Sequence, residues 1–130
     1  ALPRTVRNRI VKERGVIRAF EVDGPANAET RVDLLEHRAG LGRYRLRPAT
    51  GRTHQLRLHM CGLCVQIVGD DLYPEIRERA LDDYRAPLQL LATELTFTDP
   101  LTGSPRRFTS RLRLAAWSAV DDRLSNVEDA

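Results

Sequence analysis

Polar and apolar positions alternate with a period of two through two neighbouring stretches of this chain. Thr30, Val32 and Leu34 share one parity, and Arg31, Asp33 and Leu35 the other. After a break at Ala39-Gly40, Tyr44 and Leu46 alternate with Arg43, Arg45 and Arg47. Successive strand residues point to opposite faces, so the pattern is that of two half-buried strands, and the short glycine-containing break predicts a hairpin. Pro48 closes the second strand. Thr50-Gly51-Arg52-Thr53 then leads into a short helix over 54–60, with Thr53 as its expected N-cap. An earlier strand is expected from Val16 to Val22, ended by the turn Asp23-Gly24-Pro25. A second hairpin is predicted later in the chain. Leu95 and Phe97 alternate with Thr96 and Thr98, Asp99-Pro100-Leu101-Thr102-Gly103 forms the turn, and the return strand carries Phe108, Ser110 and Leu112 on one face.

The remaining segments are less regular. Residues 1–15 are polar and basic and read as an arm or loop, Glu75 to Tyr84 as a helix or irregular connection, and 118–130 as an acidic tail. Trp117, in an apolar run, is expected to pack in the core. Strand pairs dominate, so the predicted class is α+β, an antiparallel or mixed β-sheet with a few short helices. The chain has 130 residues and no repeat or Gly/Ser linker, which predicts a single domain over 1–130.

Composition narrows the function classes. The hydrophobic fraction of 42% suits a globular chain. No apolar run approaches the roughly 20 residues of a membrane span. No secretion-signal order is present, so a reducing cytoplasm and two free cysteines are expected. Charge is asymmetric: up to Met60 there are 13 Lys and Arg against 6 Asp and Glu, and from Cys61 onward 8 against 12. Every cation but Lys12 is an arginine, which suits bidentate phosphate recognition in the basic half. Cys61 and Cys64 form a lone CxxC; zinc would need two further ligands, so two buried or half-buried thiols are expected and no metal.

The segment 46–60 has the form of a strand, a tight glycine turn and a helix start rich in hydrogen-bond donors. Free N–H groups and the helix dipole at such a start favour an anion, although a polar helix start that caps itself fits the same residues. Thr50-Gly51-Arg52-Thr53-His54-Gln55-Leu56-Arg57-Leu58-His59 resembles, over ten adjacent positions, the TGRTHQ(I/L)R(V/L)H signature of RluA-type RNA pseudouridine synthases. Gly69-Asp70 with Leu72-Tyr73 is similar to the GDxLY element that follows it, and Leu90, Ala92, Leu95, Phe97 and Pro100 resemble a later stretch of the family.

The resemblance implies isomerisation of uridine to pseudouridine in ribosomal or transfer RNA, with no cofactor. The essential group in that family is an aspartate in an HRLDxxTSG-type motif, and the arginine that pairs with it corresponds by position to Arg57. Such a guanidinium holds a desolvated carboxylate ionised beside a flipped base. The resemblance also puts Arg52, Thr53, His54, Gln55, Leu91 and Leu95 at the substrate. Arg43, Arg45 and Arg47 are the candidates for RNA phosphates.

The sequence departs from the family in three places. The only His-Arg pair, His37-Arg38, is followed by Ala39-Gly40, so the aspartate motif is absent from these residues. Leu91 stands where the family has histidine, and Cys64-Val65-Gln66 where it has glycine-x-proline. A fragment inactive by itself is therefore expected, self-associating through uncovered sheet edges. A non-catalytic RNA-binding or assembly module is the alternative, and a zinc or thiol-redox protein a distant third.

Overall fold

The computed structural model describes residues 2–119. It divides into two compact units, residues 1–88 and residues 89–130, where the sequence predicted one domain. Of the expected acidic tail, residues 120–130 lie outside the described residues.

The first unit is a four-stranded sheet with one helix. Its strands are β1 (Arg4–Val11), β2 (Phe20–Val22), β3 (Ala28–Arg38) and β4 (Leu41–Pro48), in the order β2-β1-β3-β4. All pairings are antiparallel. The β3–β4 hairpin forms as the alternation predicted: Val32 faces Leu46 and Leu34 faces Tyr44 across the ladder. Ala28, Thr30 and Val32 are buried on one parity of β3. Leu34 shares that parity but is exposed. The helix that covers this face, α1 (Gln55–Gly62), has eight residues, which makes it only about 12 Å long.

Two apolar clusters join α1 to the sheet. Leu58 packs against Ile10, Ala19 and Ala28. Met60 packs with Val32 and Ile67, flanked by Val6, Tyr44, Leu46 and Leu63. Among the described residues, seven apolar side chains are buried against four polar ones, Thr30, Gln55, His59 and Asp70. An interior with so large a polar share holds together only if those groups bond one another.

Several local expectations are corrected. The basic arm over 1–15 contains β1, a strand inside the sheet: Arg4 to Asn8 pair with β3, and Arg9 to Val11 with β2. Its inward parity is Val6, Asn8 and Ile10, and the polar Asn8 in the middle hides the apolar stripe. The strand expected over 16–22 is reduced to Phe20–Val22. Just before it, the Ala19 backbone N–H donates to the Tyr73 hydroxyl at 2.8 Å rather than to a ladder partner. Residues 75–84 take the irregular of the two forms expected, with no helix.

The second unit contains β5 (Glu94–Thr98) and β6 (Pro105–Thr109), an antiparallel hairpin. The turn is held by Asp99, whose carboxylate accepts the Leu101 N–H at 2.8 Å while its carbonyl accepts the Gly103 N–H at 2.8 Å. Phe97 and Phe108 stack at 6.0 Å between centroids. The return strand stops at Thr109, short of the expected Leu112. The Gln89 side-chain oxygen accepts the Ala116 N–H at 2.8 Å, at a short helical turn over 115–119 in which Trp117 is half-buried.

Candidate functional site

The signature segment folds as a polar lock between β3 and α1. The Thr50 hydroxyl accepts the Glu29 N–H at 2.9 Å and donates to Gln55 Oε1 at 2.7 Å. Gln55 Oε1 also accepts the Arg52 N–H, and Gln55 Nε2 donates to the Glu29 carbonyl and to Thr30 Oγ1, both at 2.9 Å. Every polar atom of the Gln55 amide is thus used inside the chain, and the residue is 4% exposed. Gln55, expected at the substrate, is a structural residue here: its amide has no capacity left for a ligand.

The network continues inward. Thr30 Oγ1, which accepts from Gln55, lies 2.7 Å from His59 Nδ1, and His59 Nε2 lies 2.7 Å from Asn8 Oδ1. The amide oxygen can only accept, so His59 carries its proton on Nε2 and takes the Thr30 proton on Nδ1. Burial pushes the His59 pKa down, in keeping with a neutral ring. The signature's second histidine thereby satisfies Asn8, the polar residue that interrupts the inward stripe of β1.

His54, not Thr53, is the N-cap of α1; it lies in the left-handed region at φ 54° and makes no side-chain cap bond. Its Nδ1 sits 2.8 Å from the Tyr73 hydroxyl. Burial, then the nearby Arg57 charge, holds its pKa below the usual histidine range. Thr53 is exposed. Arg52 is exposed too, with Nε donating to the Asn27 carbonyl at 3.0 Å.

Arg57 is the centre of the second signature element. Its Nε donates to Asp70 Oδ2 at 3.2 Å and its Nη2 to Asp70 Oδ1 at 2.5 Å, a two-point fork; Nη2 also reaches Asp71 Oδ1 at 3.1 Å. The side chains of Arg57 and Asp70 are 14% and 0% exposed. The Arg57 guanidinium lies over the Tyr73 ring, 5.6 Å from its centroid. Asp70 Oδ1 additionally accepts the Leu72 and Tyr73 backbone N–H groups at 3.0 and 3.2 Å. Burial alone would raise the Asp70 pKa, but the Arg57 hydrogen bond and the two N–H groups outweigh it and hold the carboxyl below its usual range. Bonding to Asp70 raises the Arg57 pKa further.

Gly69 explains the other half of the Gly-Asp step. At φ +82° a side chain is strained, and a Cβ there would come within 2.3 Å of the Pro87 carbonyl oxygen. The absent side chain lets the backbone at 87–88 pass directly over the loop that presents Asp70.

The other predicted residues lie apart from this centre. Arg43, Arg45 and Arg47 line the outer face of β4, opposite Glu36, Asp33 and Arg31. Arg43 is tied to Glu36, which Arg38 also binds, so it is less available to a phosphate than predicted. Arg45 and Arg47 are exposed. Leu91 and Leu95 belong to the second unit, where Leu95 is 60% exposed. Cys64 is exposed rather than buried, whereas Cys61 is half-buried with its thiol pKa pushed up by burial. A hollow of about 510 Å³ on the helix side of β1 is lined by Arg4, Asn8, Glu21, His59 and Leu63 among others, and by none of the predicted site residues. Sequence reasoning missed Asp70 as the partner of Arg57. The signal was present in the Gly69-Asp70 match, but nothing in the sequence says which arginine the carboxylate meets.

No family model matches the chain. Among curated proteins, it is 42% identical over 69 residues to the dual-specificity RNA pseudouridine synthase RluA of Haemophilus influenzae, covering 53% of this chain and 30% of that protein. To the protein of the same name from Escherichia coli strain K12 it is 41% identical over 91 residues, 68% of this chain and 39% of the relative. The Vibrio cholerae protein of that name matches at 42% identity over 60% of this chain and 36% of its own length. Over the matched residues the chain is similar to part of the RluA-type pseudouridine synthases. It spans only 30% to 39% of the length of these relatives. Within that RluA-type portion, the lock around Gln55 and the fork at Arg57 are the physical content of the signature. No helix among the described residues is long and apolar enough to cross a membrane.

Proposed function

We propose that this chain supplies the Arg57-bearing part of an RNA pseudouridine synthase, a cytoplasmic enzyme that needs no cofactor. In the reaction, the bond from uracil N1 to the ribose C1′ breaks, the base turns, C5 bonds to C1′, the proton on C5 leaves to solvent and the freed N1 takes up a proton, so that the net change is an isomerisation. Arg57 would hold the catalytic aspartate, which these residues lack, ionised and oriented. The observation that carries this reading is the Arg57 side chain itself: nearly buried, forked and rigidly supported, as a group that must meet a second carboxylate requires.

RNA would run along the basic outer face of the sheet. There Arg31 and Arg47 stand directly opposite each other, a like-charge pair that an intervening phosphate would stabilise. With the exposed Arg45 they form the candidate phosphate surface, Arg43 being engaged by Glu36. Arg52 and Thr53 on the loop, with His54, and Leu91 and Leu95 are the remaining candidates for substrate contact.

The test is tritium release from RNA labelled at uridine C5. The chain alone is expected to be silent. Adding a segment that bears the aspartate motif, taken from the E. coli relative, is expected to restore turnover that Arg57→Ala abolishes. Continued silence of the reconstituted protein would favour the second reading, a non-catalytic RNA-binding module, which the exposed arginines of β4 also fit. Both readings predict steep salt dependence of RNA binding. The outer edge of β4 is unpaired in the described sheet, and self-association through it should appear as concentration-dependent light scattering.

A further inference from the structure

We propose that Asp70 is a positioning residue that takes one edge of the Arg57 guanidinium and so dedicates Nη1 to the catalytic carboxylate. The inference rests on the reading of Arg57 given above and concerns how that arginine is held. A guanidinium has three nitrogens and five N–H donors in one plane, and a carboxylate can occupy either of two edges in a two-point fork. Here the Nε/Nη2 edge is filled by Asp70, and Nη2 is shared with Asp71. Nη1 takes part in none of these bonds. The donor that remains for an incoming carboxylate is therefore Nη1, approached from outside the Asp70 edge.

Three features make Asp70 suited to this task. Its side chain is fully buried, so it cannot swing away into water. Its Oδ1 is anchored by the Leu72 and Tyr73 N–H groups, which fix the carboxylate to the loop rather than to the arginine alone. Tyr73, in the same loop, supports the flat side of the guanidinium, and its hydroxyl is bonded to Ala19 and lies against His54. Both rotation and tilt of the arginine plane are thereby restrained from one loop. Asp71 is different: it is one-third exposed and reaches a single nitrogen at 3.1 Å, so it can be displaced without freeing Arg57.

The experiment uses the 130-residue chain labelled with ¹⁵N, with acetate as the probe for a carboxylate. At a temperature low enough to resolve the Arg57 side-chain nitrogens, acetate is expected to move the Nη1 signals and leave Nε in place. In Asp70→Asn, the vacated edge should accept the probe, and Nε should move as well. Acetate that shifts Nε in the unsubstituted chain, or that moves no Arg57 signal, would overturn the proposal; so would an Asp70→Asn response identical to that of the parent. The reconstituted synthase separates this inference from the reading beneath it. There Asp70→Asn is expected to lower kcat about 100-fold, the scale of a displacement near 1 Å, with KM changed less than threefold. If Arg57→Ala keeps full activity, the reading of Arg57 fails. If Arg57→Ala is inactive while a folded Asp70→Asn protein retains normal kcat, only the role of Asp70 fails.

Discussion

The β3–β4 hairpin of the first unit and the β5–β6 hairpin of the second have similar sequence patterns, yet only the first has buried residues, all of them in β3. In β3, Ala28, Thr30 and Val32 are buried on one parity beneath α1. In β5 and β6 all ten residues are exposed on both faces. The first hairpin is fixed by a covered face and by the polar lock from Thr50 to Asn8. The second rests on its own ladder, the Asp99 turn and the Phe97–Phe108 stack. A two-stranded hairpin of that kind is at best marginal in water. Alternation alone therefore predicts a strand pair but not where stability resides, because stability comes from what lies against the pleated face.

The sharpest way to break this contrast is at the buried ion pair. Asp70→Ala leaves the nearly buried Arg57 charged with only its single contact to Asp71, and should cost about 3–5 kcal/mol in chemical denaturation. The β5–β6 amides should keep their exchange rates, since none of their bonds involves Asp70. Equal loss of protection in both units would show that they do not unfold separately.

Met60→Ala, in the apolar cluster with Val32 and Ile67, should cost about 2–5 kcal/mol through the cavity it leaves. A change below about 1 kcal/mol by the same measurement would mean that α1 contributes little to holding the sheet.

Acid should distinguish the units by where it starts to act. His54 and His59 have depressed pKa values, chiefly from burial, so the unfolded chain takes up protons near pH 6.5 before the folded one does. First-unit stability should fall as pH drops through about 6.5. Asp70 and Asp99 are held below the ordinary carboxylate range, Asp70 by Arg57 and backbone N–H groups against its burial, and Asp99 by the Leu101 N–H first. Their contributions are complete above about pH 4 and vanish as pH falls through their lower folded values. The second unit should accordingly be indifferent to pH between about 7 and 5, where only the histidines titrate. Hydrogen exchange across that range would test it.

The smallest effect is expected in the turn. Asp99→Ala removes the acceptor for Leu101 and should raise exchange in β5 and β6 by about five- to tenfold, the worth of roughly 1 kcal/mol for a local hydrogen bond. The first unit's denaturation midpoint should not move.

Much of this was readable from residues in order. The alternation of Tyr44 and Leu46 with three arginines specified β4, the Asp99 to Gly103 run specified the second hairpin, and the ten-residue signature with the later Gly-Asp step pointed to the family. These are local signals, because strand parity and turn chemistry depend on neighbours within a few positions. What escaped was set by contacts between distant residues. Residues 1–15 read as an arm or loop because they are polar and basic; Asn8 interrupts the inward parity of β1, and His59, 51 positions away, makes that amide acceptable inside. The family resemblance puts Gln55 at the substrate, whereas in the fold the Glu29 carbonyl and the Thr30 hydroxyl take up its amide N–H groups.

The sequence by itself determined that position 57 carries a permanently charged fork on the short helix following a hairpin, since residue type and local periodicity suffice for that. Only the tertiary structure decided which carboxylate fills that fork and which nitrogen stays open. Such a choice depends on where the loop at 69–73 lands in space. That position follows from Gly69 passing under the backbone at 87–88 and from the Tyr73 hydroxyl meeting Ala19, contacts that no local pattern encodes.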